Sequence, residues 1–305
     1  MPNLKELARR EERLIGGHRL CPGCGAGIVV RQVLAAIEKP VVVGCATGCL
    51  EVSTTIFPYS AWQTPFLHSA FENVAASVSG MEAAYRALKK QGRLSKEMVF
   101  VAFGGDGGTY DIGLQSLSGA AERGHRMLYV CYDNQAYMNT GIQRSSATPR
   151  YAGTSTTPVG KNSPGKLQWS KDLVGIMAAH GIPYAATAIP GKWNDLTAKV
   201  ERAISYDGFS FMSILSPCRL GWPHDPSLTM EITRLAADTC IWPLYEVIEG
   251  TYKLSYKPKE KKPIAEWFKL QRRFAHLLKP ENQPLLDGIQ AEIDRRWELL
   301  QKKCG

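Results

Sequence analysis

Cys21, Cys24, Cys49 and Cys218 lie on either side of the segment Gly104-Gly105-Asp106-Gly107-Gly108. A thiolate-rich set suits iron and sulfide, whereas a carboxylate held in a glycine turn suits a hard cation such as magnesium gripping a phosphate. Together they point to an electron-transfer cluster beside a diphosphate-binding site. Taken alone, Cys21-Pro-Gly-Cys24 is equally compatible with a zinc knuckle or a redox dithiol. The wide, irregular spacing to Cys49 and Cys218 argues against a compact zinc ribbon. Asp106 has a stronger local case, because its flanking glycines let the backbone approach a diphosphate while the carboxylate reaches the metal.

The elements around that turn must bring a second ligand to it. Met98–Phe103 (MVFVAF) is a continuous β-branched and aromatic run, the pattern of a parallel strand covered on both faces. Asp111–Arg123 reads as a helix and Arg126–Tyr132 (RMLYVCY) as a second buried strand, so the unit is a right-handed strand-helix-strand with both strand ends on one edge. Asn134 follows that second strand, 28 positions after Asp106, and the two should meet at the ligand crevice of an open α/β sheet. One carboxylate, one amide oxygen, one main-chain carbonyl and two diphosphate oxygens leave room for a water in a magnesium octahedron.

Elsewhere Ile28–Ile37 suits a helix, 40–44 a short buried strand, 54–71 irregular packed structure and Glu72–Lys90 a small-residue helix against a sheet. Helices are expected at Leu173–His180 and Asp195–Ser205, and strands at Tyr184–Ala188 and Phe209–Leu215. The fold class is therefore α/β, a mostly parallel sheet flanked by helices. After residue 225 the texture changes to a helix (228–239), a hairpin (245–256), the charged run KPKEKK and a final helix (283–302). Residues 1–225 are read as the ligand-binding domain and 226–305 as a C-terminal helical and hairpin arm, for which linking and packing are the plain expectation.

The chain of 305 residues, 44 % hydrophobic, is long enough for a full core. It has no apolar run near the roughly 18 to 20 residues that span a bilayer, and its charged start lacks a signal peptide's apolar core, so a cytoplasmic protein is expected. Eight cysteines in such a chain suit metal ligation or core burial better than disulfides. Cys131, inside a buried strand, is expected to be a small core hydrophobe; Cys45, Cys240 and Cys304 also lie off the motif. The formal charge of +9 comes from scattered basic residues without a nucleic-acid motif, leaving a solvated surface or an acidic protein partner. His18 and His68 fall near the motifs; His125, His180, His224 and His276 read as structural or surface residues.

The Asp106-to-Asn134 arrangement resembles the diphosphate site of thiamine diphosphate enzymes. More specifically, GHRLCPGCG, ATGCLEVSTTIFP, FENVAASVSGMEAA, GGDGGTYDIG, AYMNTGIQRSSATP and SPCRLGW resemble the β subunits of pyruvate:ferredoxin oxidoreductases, within the 2-oxoacid:ferredoxin oxidoreductase family, nearly end to end. The resemblance implies a thiamine diphosphate-binding fold. It also implies that Asp106, the Asn134 side chain and the Ala136 carbonyl hold magnesium, that Gly105 and Gly107 admit the diphosphate, and that Asn139 lies at the cofactor's reactive end. Some relatives have Thr in place of Asn134; an amide oxygen serves equally. Cys21, Cys24, Cys49 and Cys218 match the ligands of one 4Fe-4S cluster.

The activity so implied is the reversible oxidative decarboxylation of pyruvate with coenzyme A to acetyl-CoA and carbon dioxide, with electrons passing to ferredoxin in anaerobic metabolism. Oxalate, 2-oxoglutarate and branched-chain 2-oxoacids are alternative substrates on the same scaffold. No pyrimidine-binding domain with its activating Glu is recognisable, nor a tight ferredoxin-like cysteine run, so partner subunits of a hetero-oligomer should supply both. Neither nucleic acid nor membrane is expected as a partner. A non-redox thiamine diphosphate decarboxylase or ligase leaves the four cysteines without a purpose, and a zinc-stabilised nucleotide-binding scaffold leaves the other strings unexplained.

Overall fold

A computed structural model describes residues 3–305. Its strands are β1 (Val41–Ala46), β2 (Phe66–Ser69), β3 (Val99–Gly105), β4 (Met127–Asp133), the two-residue β5 (Val159–Gly160) and β6 (Ser163–Pro164), β7 (Tyr184–Ala188), β8 (Phe209–Leu215), β9 (Tyr245–Ile248) and β10 (Thr251–Leu254). Eight of them form one sheet in the order β10-β9-β7-β8-β4-β3-β1-β2, and only β9 and β10 run antiparallel to their neighbours. The helices are α1 (Leu4–Leu7), α2 (Gly25–Ala36), α3 (Cys49–Thr54), α4 (Val74–Lys90), α5 (Leu114–Glu122), α6 (Leu173–Ala178), α7 (Trp193–Ser205), α8 (Thr229–Asp238), α9 (Ile264–Lys269) and α10 (Gln283–Lys303).

The central strands β4, β7 and β8 are buried at every residue, as strands covered on both faces must be. One face packs Val101, Phe103, Val130 and Met212 under α2 and α7; the other packs Phe100, Tyr129, Cys131 and Phe211 under α4, α5 and α6. A third cluster joins Trp222, Trp267 and Phe274 to α8 and α10. The hairpin β9–β10 adds to the edge of the main sheet through β7, so the 226–305 segment contributes strands to the same sheet.

Two local expectations are corrected. The 54–71 stretch contains β2, an edge strand parallel to β1 whose only buried residue is Ser69, and so shows no apolar run. The expected helix over 111–123 is two elements: a π-helical turn, Gly107–Ile112, and then α5. Thr109 Oγ1 donates to Gly105 O at 2.6 Å and a Cβ on Gly113 would stand 2.2 Å from Gly108 O, so this wide turn is packed too tightly for side chains at its glycines. Asp106 stands at its head.

Cys131 is fully buried. Cys131→Ala is expected to cost on the order of 1 kcal/mol in urea unfolding, with iron content unchanged. A large loss of iron would contradict a packing role.

Candidate metal, diphosphate and thiolate site

Register places the ligands. Gly104 pairs with Cys131 and Gly105 with Tyr132, so β3 and β4 end level and Asp106 stands beside the residues after β4. Asp106 is fully buried. Its Oδ1 accepts from the Asn134 backbone N–H at 3.2 Å and its Oδ2 from the Ser145 hydroxyl. Burial, followed by the neighbouring Asp133, pushes the Asp106 carboxyl well above the usual carboxylate range. Burial raises Asp133 as well, although it accepts from Tyr110 Oη at 2.7 Å and from the Gln135 N–H at 3.0 Å.

The Asn134 amide oxygen faces two other oxygens, with Asp106 Oδ1 at 2.9 Å and Ala136 O at 2.8 Å. Rotating the amide puts its nitrogen there and makes both contacts hydrogen bonds. With the amide oxygen facing them, these two separations match adjacent corners of a magnesium octahedron, about 2.9 Å for bonds of about 2.0–2.1 Å, whereas calcium spreads its ligands wider. A divalent ion here would also reverse the cause of the raised Asp106 carboxyl. The donor set therefore fits a small hard cation.

The backbone around it is a cradle that side chains would fill. A Cβ on Gly107 would lie 2.4 Å from the Tyr137 ring, and one on Gly48 2.9 Å from Tyr132 Oη. Gly48, Cys49, Gly105, Gly107, Asn134 and Asn139 line one small cleft, and Ala136 borders it. Cys49 Sγ lies 3.6 Å from Asn139 Oδ1, which puts the thiol in contact with the loop after β4. A larger cavity of about 530 Å³ lies on the other side of β4, reaching Tyr110 and Asp133 and closed by α10. Asn134 and Ala136 border the smaller cleft, and Asp106 is buried beside Asn134.

The cysteines reach that edge from three elements. Cys24 caps α2, Cys49 opens α3 directly after β1, and Cys218 follows β8. Cys24 N donates to Cys21 O at 3.0 Å across the turn, and Gly25 N to Pro217 O at 3.0 Å ties that turn to the Cys218 segment. Gly23 takes φ +73°, and a Cβ there would stand 2.7 Å from Pro226. Burial, then the other thiols of this set, pushes Cys49 up to about 12; burial pushes Cys24 up to about 11 and raises Cys218. Gly221 N–H points at Cys218 Sγ at 3.4 Å, while Arg219 Nε, one residue on, is a buried donor without a partner.

Among the described residues, no three His, Cys, Asp or Glu side chains are close enough to share one metal ion. A 4Fe-4S cubane binds each thiolate to a different iron, so its ligands stand further apart than those of a single ion. Neighbouring thiols, one of them accepting a backbone N–H, fit that larger group.

His68 adjoins the cleft: its Nε2 is 2.6 Å from Thr47 Oγ1 and its Nδ1 3.5 Å from Glu51. His125 instead pairs with buried Glu82 at 2.8 Å on the far face. Ser145, Glu51 and Asp133 were not among the sequence candidates. Glu51, a buried carboxylate two residues after Cys49, was the most visible of these from sequence.

The chain matches the family described as "Thiamine pyrophosphate enzyme, C-terminal TPP binding domain" over residues 43–214. It is 53 % identical to pyruvate synthase subunit PorB of Thermotoga maritima, over 98 % of this chain and 95 % of that one. Identity to ketoisovalerate oxidoreductase subunit VorB of Pyrococcus abyssi is 42 %, over 96 % and 93 %. In fold it is similar to a solved 2-oxoglutarate:ferredoxin oxidoreductase from Magnetococcus marinus, with TM-score 0.56 and 23 % identity over 73 % of this chain and 79 % of the other.

Proposed function

The chain belongs to the 2-oxoacid:ferredoxin oxidoreductase family as a β subunit of the pyruvate synthase type, and from that premise we propose that it carries both the magnesium–diphosphate site and one 4Fe-4S cluster. The observation that supports this reading is the contact between Cys49 and Asn139 at 3.6 Å, which puts one thiol of the set in the cleft that Asn134 and Ala136 also line. When bound, thiamine diphosphate supplies the electron sink for decarboxylation and the cluster the first electron acceptor.

This chain's own residues hold and orient. Asp106, Asn134 Oδ1 and Ala136 O bind magnesium, and the side-chain-free backbone at Gly105 and Gly107 admits the diphosphate. Asn139 lies between that site and Cys49, where it orients the reacting end, and Cys21, Cys24, Cys49 and Cys218 hold the cluster close by. Electron transfer needs short fixed distances, which explains why one chain supplies both ligand sets. The cleft is small because a partner subunit covers the rest of the cofactor and brings the activating Glu; another carries ferredoxin-like clusters.

The physiological reaction in this reading is the reversible conversion of pyruvate and coenzyme A to acetyl-CoA and carbon dioxide, with ferredoxin reduced in the cytoplasm. No described helix is long and apolar enough to cross a membrane. A net charge of +9 favours an acidic electron acceptor and should raise its on-rate. The test is 2-oxoacid-dependent ferredoxin reduction by the isolated chain and by its complex, with pyruvate, 2-oxoglutarate, oxalate and branched-chain substrates, across ionic strength. Expected are no turnover by the chain alone, highest kcat/KM for pyruvate in the complex, and a ferredoxin-limited rate that falls with salt. Full turnover by the isolated chain would contradict the subunit assignment, preference for a branched-chain acid the substrate, and indifference to salt the steering.

A further inference from the structure

Arg273 lies in the 3-10 segment Arg272–Leu278 after α9 and is only 7 % exposed. Burying a guanidinium, which keeps its proton at any ordinary pH, costs several kcal/mol unless an anion answers it. Its hydrogen-bond acceptors are neutral: Nε donates to Gln271 Oε1 at 3.0 Å and Nη2 to Gln135 Oε1 at 2.6 Å. Its Cζ lies 3.9 Å from the centroid of the Trp222 ring and 4.9 Å from that of Phe274. Among the described residues no carboxylate is within 4.0 Å of it. Of the ionisable groups, Cys218 acts on its charge most strongly, then Asp133 and Asp106, each of them held towards its neutral form by burial.

The same residues form a strut between the two ligand sets. Trp222 N donates to Cys218 O at 2.8 Å, its indole Nε1 to Asn134 O at 2.8 Å, and Arg272 N to Pro223 O at 3.2 Å. Stacking on Trp222 and two amide acceptors explain how Arg273 packs. Neither neutralises its charge.

We infer that Arg273 is a fixed positive charge that raises the reduction potential of the cluster held by Cys218, so that the C-terminal segment tunes the electron acceptor as well as packing beside it. The inference rests on the cluster assignment proposed above. Reduction adds one negative charge to the cluster, and a buried cation stabilises that state more than the oxidised one. Arg273 is thus a tuning residue that touches no substrate.

The experiment is an anaerobic, EPR-monitored redox titration of the assembled enzyme, following the signal that disappears in Cys21→Ala. Arg273→Gln removes the charge, Arg273→Lys keeps it, and Gln271→Glu offsets it while leaving the guanidinium and its stacking in place. Expected are midpoints shifted to more negative potential in Arg273→Gln and Gln271→Glu, and a wild-type-like midpoint in Arg273→Lys. Where Arg273→Gln does not load iron, Gln271→Glu decides. An intact signal with an unmoved midpoint in Gln271→Glu overturns the tuning role alone, whereas a wild-type enzyme with no cysteine-dependent signal overturns the cluster assignment beneath it.

Discussion

Asp106→Ala in the assembled enzyme is expected to lose its thiamine diphosphate while the fold and the iron remain. The carboxylate is fully buried and is the one formal negative charge among the three converging oxygens. Removing one member of a buried charge pair costs on the order of 3–5 kcal/mol, which is about 100-fold or more in retention. Folding is expected to suffer less than binding, because burial already disfavours the ionised carboxyl when no cation faces it. Asp106→Asn keeps the side chain's size and an acceptor but not its charge. It should lose the cofactor equally, and this separates electrostatics from packing. Cofactor and magnesium content of purified protein check both variants; unchanged thiamine diphosphate in either would remove Asp106 from the site.

Replacement of Cys21, Cys24, Cys49 or Cys218 by Ala is expected to remove about one 4Fe-4S complement per chain and to stop ferredoxin reduction. Cys21 is the most discriminating of the four. It is exposed, whereas the other three are partly buried, so its loss leaves no core cavity and a missing cluster cannot be ascribed to collapse. Iron and acid-labile sulfide analysis of anaerobically prepared protein provides the check. Full iron in Cys21→Ala, or zinc in the wild-type chain, would overturn the ligand set.

The legible parts of the fold were those that local pattern determines. β7 and β8 fall on the residues expected from sequence, since central parallel strands are buried on both faces and read as unbroken apolar runs. β2 was hidden because an edge strand with one buried residue carries no such run. The π-helical turn was hidden because glycines, permissive of many conformations, do not announce which one the packing selects. The pairing of the C-terminal hairpin onto β7 is a tertiary register that no local window contains.

For the site, strand ends and a 28-residue spacing sufficed to bring Asp106 to Asn134. The meeting of Cys49 with Asn139, 90 positions apart, was not contained in either motif and followed only from resemblance. Ser145 and Arg273 went unnoticed because each acts on partners far along the chain, Asp106 at 39 positions and Gln135 at 138.

The most direct measurement is visible absorption of the anaerobically purified complex on addition of pyruvate without ferredoxin, in the wild type, Asp106→Ala and Cys21→Ala. On the proposed assignment of both sites to this chain, pyruvate should bleach the iron-sulfur band in the wild type. Asp106→Ala should keep its band and fail to bleach with pyruvate while still bleaching with dithionite, and Cys21→Ala should lack this chain's share of the band. Pyruvate-driven bleaching that persists undiminished in Asp106→Ala, or an undiminished band in Cys21→Ala, would contradict the placement of both sites on this chain.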